Sequence, residues 1–219
     1  MDIVNKSKSK EKFIVGLAPG NYKNARKAMN VTIECVNFLK RHTDLPIVVG
    51  CSSPIITQKS SEIADGILFN YVKVEFINWI SSFAKKEVFF AAYGPSLILP
   101  SNFFEDLLIA SAIVISSETF VKKFGFEKLF EEIKQVNFQE LIRVRQEGKS
   151  VKSIKDFGIL VKHSKTLLEN FTISGSINNV IKKINDLLKV CNHVILSDPF
   201  FRDINSMNSL KRIVKSVDN

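Results

Sequence analysis

The chain has 219 residues, 45% of them hydrophobic and 24% charged, with 9 Gly and 6 Pro. That balance excludes a disordered, collagen-like or low-complexity protein, and the length suffices to bury roughly 70% of the unfolded surface in one core. The formal charge of +9 comes mostly from Lys spread along the chain, and the 18 Phe sit mostly in apolar segments such as residues 88–93. This is not the interleaving of Arg forks and aromatic platforms that reads nucleic acid, and no nucleic-acid partner is expected.

The longest nearly unbroken apolar run, residues 107–115, falls well short of the ~20 residues of a membrane span. The start, MDIVNKSKSKEKF, is a basic tail over residues 1–12 with no apolar core behind it, so it does not read as a secretory signal. Cys35, Cys51 and Cys191 lie far apart without a Cys-x-x-Cys pair, as suits reduced thiols in a cytoplasmic protein. His42, His163 and His193 have no acidic or cysteine neighbour at ligand spacing, and no metal site is expected.

Residues 13–17 form a short apolar run closed by Ala18-Pro19-Gly20-Asn21, which predicts a buried strand and a turn. From Ala25, the residues Ala28, Met29, Ile33, Val36 and Leu39 recur at spacings of three and four, the mark of an amphipathic helix. A second strand is predicted at residues 46–50, a helix at 54–64, a third strand at 66–69, a helix at 75–84 and a fourth strand at 88–92. Strands alternating with helices at this spacing imply parallel βαβ units. Residues 101–168 break the alternation with helical periodicity throughout, a helical insertion before the last strand. Ser176 is placed to cap a helix whose face is Val180, Ile181, Ile184, Leu187 and Leu188. A fifth strand at 193–196, a turn at Ser197-Asp198-Pro199 and a final helix with Leu210, Ile213, Val214 and Val217 on one face complete the chain.

No nucleophile triad, P-loop or full dinucleotide fingerprint is present. The chemistry points instead to Gly50-Cys51-Ser52-Ser53-Pro54, where a buried strand meets a helix with small hydroxyl residues and a proline in its first turn. Such a junction offers free N–H groups and a helix dipole to a phosphate. The same residues also describe a plain serine cap with no ligand, and the local pattern leaves both readings open.

The stretch PIVVGCSSPIITQKSSEIADGILFN, residues 46–70, resembles a signature of the luciferase-like flavin- and deazaflavin-dependent oxidoreductases, which include methylenetetrahydromethanopterin reductase. There a Pro-Ile-Tyr-Val-Gly-Ala strand leads to a Ser-Gly-Pro turn, a helix and an Ala-Asp-Gly-Val strand. Residues 13–21 are similar to the preceding strand and loop, Ile173-Ser174-Gly175-Ser176 to the start of a later helix, and residues 193–199 to the last barrel strand and its turn.

The resemblance implies an α/β fold over residues 13–219: an incomplete (β/α)8, TIM-like barrel whose strands match the fourth to the eighth. It implies coenzyme F420 or FMN as hydride carrier, with Gly50, Cys51, Ser52, Ser53 and Pro54 at the coenzyme phosphate and Gly16 and Ala18 along its path. A small molecule would be the substrate, by hydride transfer or monooxygenase chemistry. The three β/α units that precede residue 13 in the family have no counterpart here, and they carry much of the substrate pocket, so no catalytic residue is nominated. Ser53 stands where glycine is usual, so that its Cβ would crowd a phosphate or force a φ that serine disfavours. Asn21 replaces an acidic residue. A partial barrel has two free edge strands, which implies a homo-oligomer or a complementary chain. The alternative reading is a non-catalytic binding or assembly subunit.

Overall fold

The computed structural model describes residues 13–20, 25–197 and 204–217. The basic tail, Asn21 and the Asp198-Pro199 turn lie outside these residues. The first half of the chain alternates as its periodicity predicts: β1 (Val15–Leu17), α1 (Ala25–His42), β2 (Ile47–Cys51), α2 (Pro54–Ile63), β3 (Gly66–Phe69), α3 (Val74–Ser81) and β4 (Phe89–Ile98). Six helices follow: α4 (Phe104–Ile113), α5 (Glu118–Phe124), α6 (Glu127–Ile133), α7 (Phe138–Gln146), α8 (Lys155–Lys162) and α9 (Ser164–Phe171). The chain then returns through β5 (Ile173–Gly175), α10 (Ile177–Leu188), β6 (His193–Ser197) and α11 (Ile204–Val217). No helix among the described residues is long and apolar enough to cross a membrane.

Every strand pairing is parallel. β1, β2, β3 and β4 are neighbours in chain order, and β6 lies on the other side of β4. The sheet is a half-barrel with helices against one face. Ile47, Val49, Ile67, Phe69 and Ala92 point into that helical layer and are fully buried. Local chemistry agrees with each element: β2 is a β-branched run, Pro54 opens α2, and the Ser176 hydroxyl accepts the Asn179 amide at 3.3 Å to cap α10.

Two expectations need correction. The fourth strand extends from the expected 88–92 to Phe89–Ile98, through Gly94 and Pro95, which read as strand breakers. Pro95 has no N–H to offer, but the register places it against Ser197 at the end of β6, where ladder bonds run out. Gly94 lies so close to Val72 that any Cβ there would collide with it. The region before the last strand is also not wholly helical, because Ile173–Gly175 pairs with Ser96–Ile98 as a sixth strand. Three residues are too few to show a period, and this strand belongs to the stretch assigned to a helix start.

The helices between β4 and β5 are joined to α3 and to one another by aromatic and ionic contacts. Phe76 of α3 packs on Phe120 and Phe124 of α5 with ring centroids 4.8 and 4.5 Å apart, and Phe126 meets Phe171 at 5.2 Å. Asp106, fully buried on α4, accepts bonds from Arg145 Nε at 3.0 Å and Nη2 at 2.7 Å. Beside it Glu105 accepts from the Ser150 hydroxyl and the Val151 amide, both at 2.8 Å, and Arg145 Nη1 donates to the Lys149 carbonyl at 2.9 Å. Removing one partner of such a pair strands a charge in the core. Arg145→Met or Asp106→Ala is therefore expected to cost about 3–5 kcal/mol in urea denaturation, whereas Arg143→Met, which breaks exposed pairs to Glu140 and Glu147, should leave the urea midpoint nearly unchanged.

Asp65 joins three elements at the other end of the sheet. Its carboxylate accepts the Ile47 amide and the Lys40 ammonium, both at 2.9 Å, and its carbonyl accepts the Phe89 amide at 3.2 Å. Partial desolvation pushes its pKa up, but the Lys40 and Ile47 bonds outweigh this and hold it below the ordinary value. A depressed carboxylate stabilises the fold above its unfolded pKa and loses that contribution as pH falls through the folded one. Asp65→Asn is expected to flatten the acid limb of the stability curve below about pH 4 by less than about 1 kcal/mol, since the group is half exposed.

Candidate functional site

The period of two along each strand sorts the residues by face. With Ile47, Val49 and Cys51 turned to the helices, Val48 and Gly50 turn inward, and the register continues that inner face through Gly16, Gly66, Leu68, Phe89, Ala91, Tyr93, Ile195 and Ser197. Bulky branched side chains ordinarily fill the inside of such a barrel. Here Gly16, Ala18 and Gly50 leave one part of it as nearly bare backbone.

The structure brings Gly50 and Ala18 together. A Cβ built on Gly50 would lie 3.7 Å from the Ala18 Cβ and 3.5 Å from the Leu17 carbonyl, while one on Gly16 would meet nothing within 4 Å. These three residues form a shelf on adjacent strands near their C-terminal ends, with Ala18 exposed and Gly50 half-buried.

At the end of β2 the shelf meets the turn into α2. Ser52, Ser53 and Pro54 are half-buried. Ser53 takes φ −140 and ψ 154, an ordinary extended conformation, so serine is accommodated without backbone strain where the family has glycine. Its hydroxyl forms no cap bond to the helix, so a self-satisfied serine cap does not describe this turn. The Pro54 ring has no N–H, and the first-turn amides behind it retain the donor character of a helix start. The residues therefore fit an anionic group.

Cys51 contributes differently from its neighbours. Its side chain is buried on the helix side of β2 and donates to the Val49 carbonyl at 3.5 Å. Burial pushes the thiol up to about 12, against the opposing pull of the Ser60 and Thr57 hydroxyls that face it. Neither hydroxyl makes a well-formed hydrogen bond. Only the backbone of Cys51 is left to serve a ligand at the turn.

Two features escape a reading by sequence. Tyr71, buried and stacked on Phe120 with centroids 4.5 Å apart, donates its hydroxyl to the Ser52 carbonyl at 2.6 Å. The aromatic cluster thereby grips the turn from behind, and burial raises the Tyr71 pKa. On the inner face, Tyr93 Oη donates to Ser197 Oγ at 2.9 Å across 104 residues of sequence. Alternation from Ala91 marks Tyr93 as inward-facing, but nothing local pairs it with Ser197.

A groove of about 760 Å³ lies elsewhere, against α11 and the free side of β6, lined by His193, Val194, Ile195 and Leu196 together with Met207 and Val214. Four consecutive strand residues line it, so it follows the edge of β6 rather than the inner face. No group of three or more His, Cys, Asp or Glu suited to a metal ion occurs among the described residues.

No family model matches the sequence, and no curated protein does. Among solved structures the chain is similar to the coenzyme F420 dependent tetrahydromethanopterin reductase from Methanopyrus kandleri, at 21% identity and a TM-score of 0.56, over 80% of this chain and 50% of that one. It is likewise similar to an F420-dependent secondary alcohol dehydrogenase in complex with an F420-acetone adduct, at 12% identity and a TM-score of 0.59, over 94% of this chain and 69% of that one. The chain thus spans half the length of the reductase. At these identities the likeness is one of fold: the chain is a half-barrel of the (β/α)8 type, matching part of each of these two structures.

Proposed function

We propose that the chain binds a deazaflavin or flavin coenzyme on the inner face of the half-barrel, and serves as an oxidoreductase or as the coenzyme-binding part of one. The observation that carries this reading is the shelf of Gly16, Ala18 and Gly50 opening beside a helix start whose serine does not cap it. A flat ring needs a surface without side chains, and a coenzyme phosphate needs free amides within reach of that surface. When bound, the coenzyme supplies the hydride; the protein's part is to hold it and to orient a small-molecule substrate against it. Coenzyme F420 is the favoured carrier, since the printed descriptions of both solved structures name it, with FMN as the variant. A cytoplasmic protein with free thiols at Cys35, Cys51 and Cys191 accords with this chemistry. A monooxygenase using FMN would draw on the same shelf.

The phosphate assignment is tested at Ser52. Titration of coenzyme F420 and of FMN, followed by absorbance or fluorescence, is expected to show binding to the wild type. Affinity should fall about tenfold or more in Ser52→Asp, where a carboxylate faces the phosphate. Unchanged affinity removes the turn from the site.

A second reading, that of a subunit completed by another chain, is favoured by the two sheet edges. β1 and β6 each pair on one side only among the described residues, Ile14 and Ile195 are exposed beside them, and the groove along β6 is apolar. A second copy or a complementary chain would close the gap and supply the missing wall of the pocket. Light scattering is expected to show a dimer or larger, shifted towards monomer by Ile195→Lys, and the isolated monomer should turn over slowly, because one wall of the near-attack geometry is missing. Robust turnover by a strict monomer would make it a minimal enzyme.

A further inference from the structure

β6 has the composition of a buried strand and the exposure of an edge. In a parallel sheet a Val-Ile-Leu run is ordinarily covered on both faces; most residues of β2 and β3 are buried accordingly, whereas none of the residues of β6 is. Its backbone is open as well. The Asn192 amide donates to the Phe90 carbonyl at 2.8 Å, so the alternation of a parallel ladder sends the amides of Val194 and Leu196 to β4 and turns those of Ile195 and Ser197 away. No described strand lies on that side. Nor does α11 close the gap. Leu210 and Ile213 are buried where the helix packs on α10 and β4, but Val214 is 48% exposed and, with Met207 and Lys211, lines the groove of about 760 Å³ whose other wall is β6.

The chemistry of this slot selects its occupant. An apolar ligand laid along β6 would bury the Ile195 and Ser197 amides without partners, at a cost of about 1–3 kcal/mol for each. An extended peptide supplies those partners at the ~4.8 Å spacing of a sheet, and the five residues of β6 give it a track of about 17 Å. The charge is one-sided. Among the described residues the lining includes Lys211, Arg212 and Lys215 and no carboxylate.

Resting on the reading of the chain as a subunit completed by another chain, we infer that β6 and α11 form a receptor for an extended segment of a different protein, apolar against Ile195 and Val214 and flanked by carboxylates that meet Lys211, Arg212 and Lys215. A second copy of this chain is the poorer occupant. Its own free strand β1 follows Lys6, Lys8, Lys10 and Lys12, and the whole chain carries +9, so self-docking sets like charges side by side. Without the acidic partner a copy still takes the open edge, which is the self-association expected above, and the acidic segment displaces it.

The probe is the dye-labelled peptide Glu-Asp-Val-Thr-Val-Thr-Val-Asp-Glu, its binding to the full chain read by fluorescence polarisation. Its affinity should exceed by about tenfold that of the same peptide with Lys in place of every Glu and Asp. The preference should invert in the double variant Lys211→Glu, Lys215→Glu, changed at two exposed positions, with a thermal melt confirming its fold. N-methylation separates strand pairing from general adhesion. Alternate amides of a strand face opposite edges, so methylating the three Val amides or the two Thr amides should lower affinity about tenfold in one case and leave it within about threefold in the other. In light scattering, saturating acidic peptide should convert the self-associated chain to monomer. Equal binding of the acidic and basic peptides, equal binding of the two methylated forms, or no binding by a chain that self-associates through β6 overturns the inference and leaves the subunit reading standing. A strict monomer that binds no peptide overturns that reading, and the inference with it.

Discussion

The ten-residue strand β4 is the constraint on which the rest of the half-barrel depends. Its first half pairs with β3, its middle with β6 and its last three residues with β5, so one strand fixes three neighbours at different heights. Because every pairing is parallel, each connection has to cross back over a face, and helices are the economical way to do so. The same geometry gathers the C-terminal ends of β2, β4 and β6 at one end of the sheet. The turn at Ser52 and the hydrogen-bonded pair of Tyr93 and Ser197 lie towards that end, on either side of β3, as a consequence of strand direction.

The helical layer and the inner face were built to different specifications. On the helix side the sheet meets a dense apolar core, with Phe69, Phe76 and Phe120 fully buried. The inner side offers Gly16, Ala18, Gly50 and Gly66, and only Gly66 is covered, by Phe89, whose carbonyl lies 2.8 Å from where its Cβ would stand. Stability comes from one side of the sheet and leaves the other available. Tyr71 couples the two, since its ring belongs to the aromatic core and its hydroxyl holds the Ser52 carbonyl.

Periodicity made much of this legible. A β-branched run between Pro46 and Gly50 located β2, a short apolar run after Gly66 located β3, and spacings of three and four located α1 and α10, because burial on one face writes itself into sequence. What stayed illegible has a common cause. The far half of β4 was masked by Gly94 and Pro95, residues whose local preference is for turns; a close approach to Val72 and a position at the end of a ladder override that preference. β5 is too short for a pattern. At the site, the small residues and the turn could be named from the sequence, but the direction of the Cys51 thiol depends on the strand's phase against α2. The Tyr71–Ser52 and Tyr93–Ser197 contacts span 19 and 104 residues, and no local rule encodes such pairs.

The bareness of the inner face also couples the two readings of the protein. A ring laid on the Gly16, Ala18 and Gly50 shelf and a chain added along β6 would each bury apolar surface on a side of the sheet that the chain itself leaves thinly covered. Whatever binds the folded half-barrel and not the unfolded chain stabilises it in proportion to its occupancy. If each occupant buries part of the same face, the first to bind orders the strand ends that the second must meet, and the second then pays less conformational entropy. On the proposed reading, coenzyme binding and barrel closure would be one linked equilibrium. The free edges and the bare shelf follow from where this chain buries its apolar side chains, between the sheet and its helices and among the helices themselves.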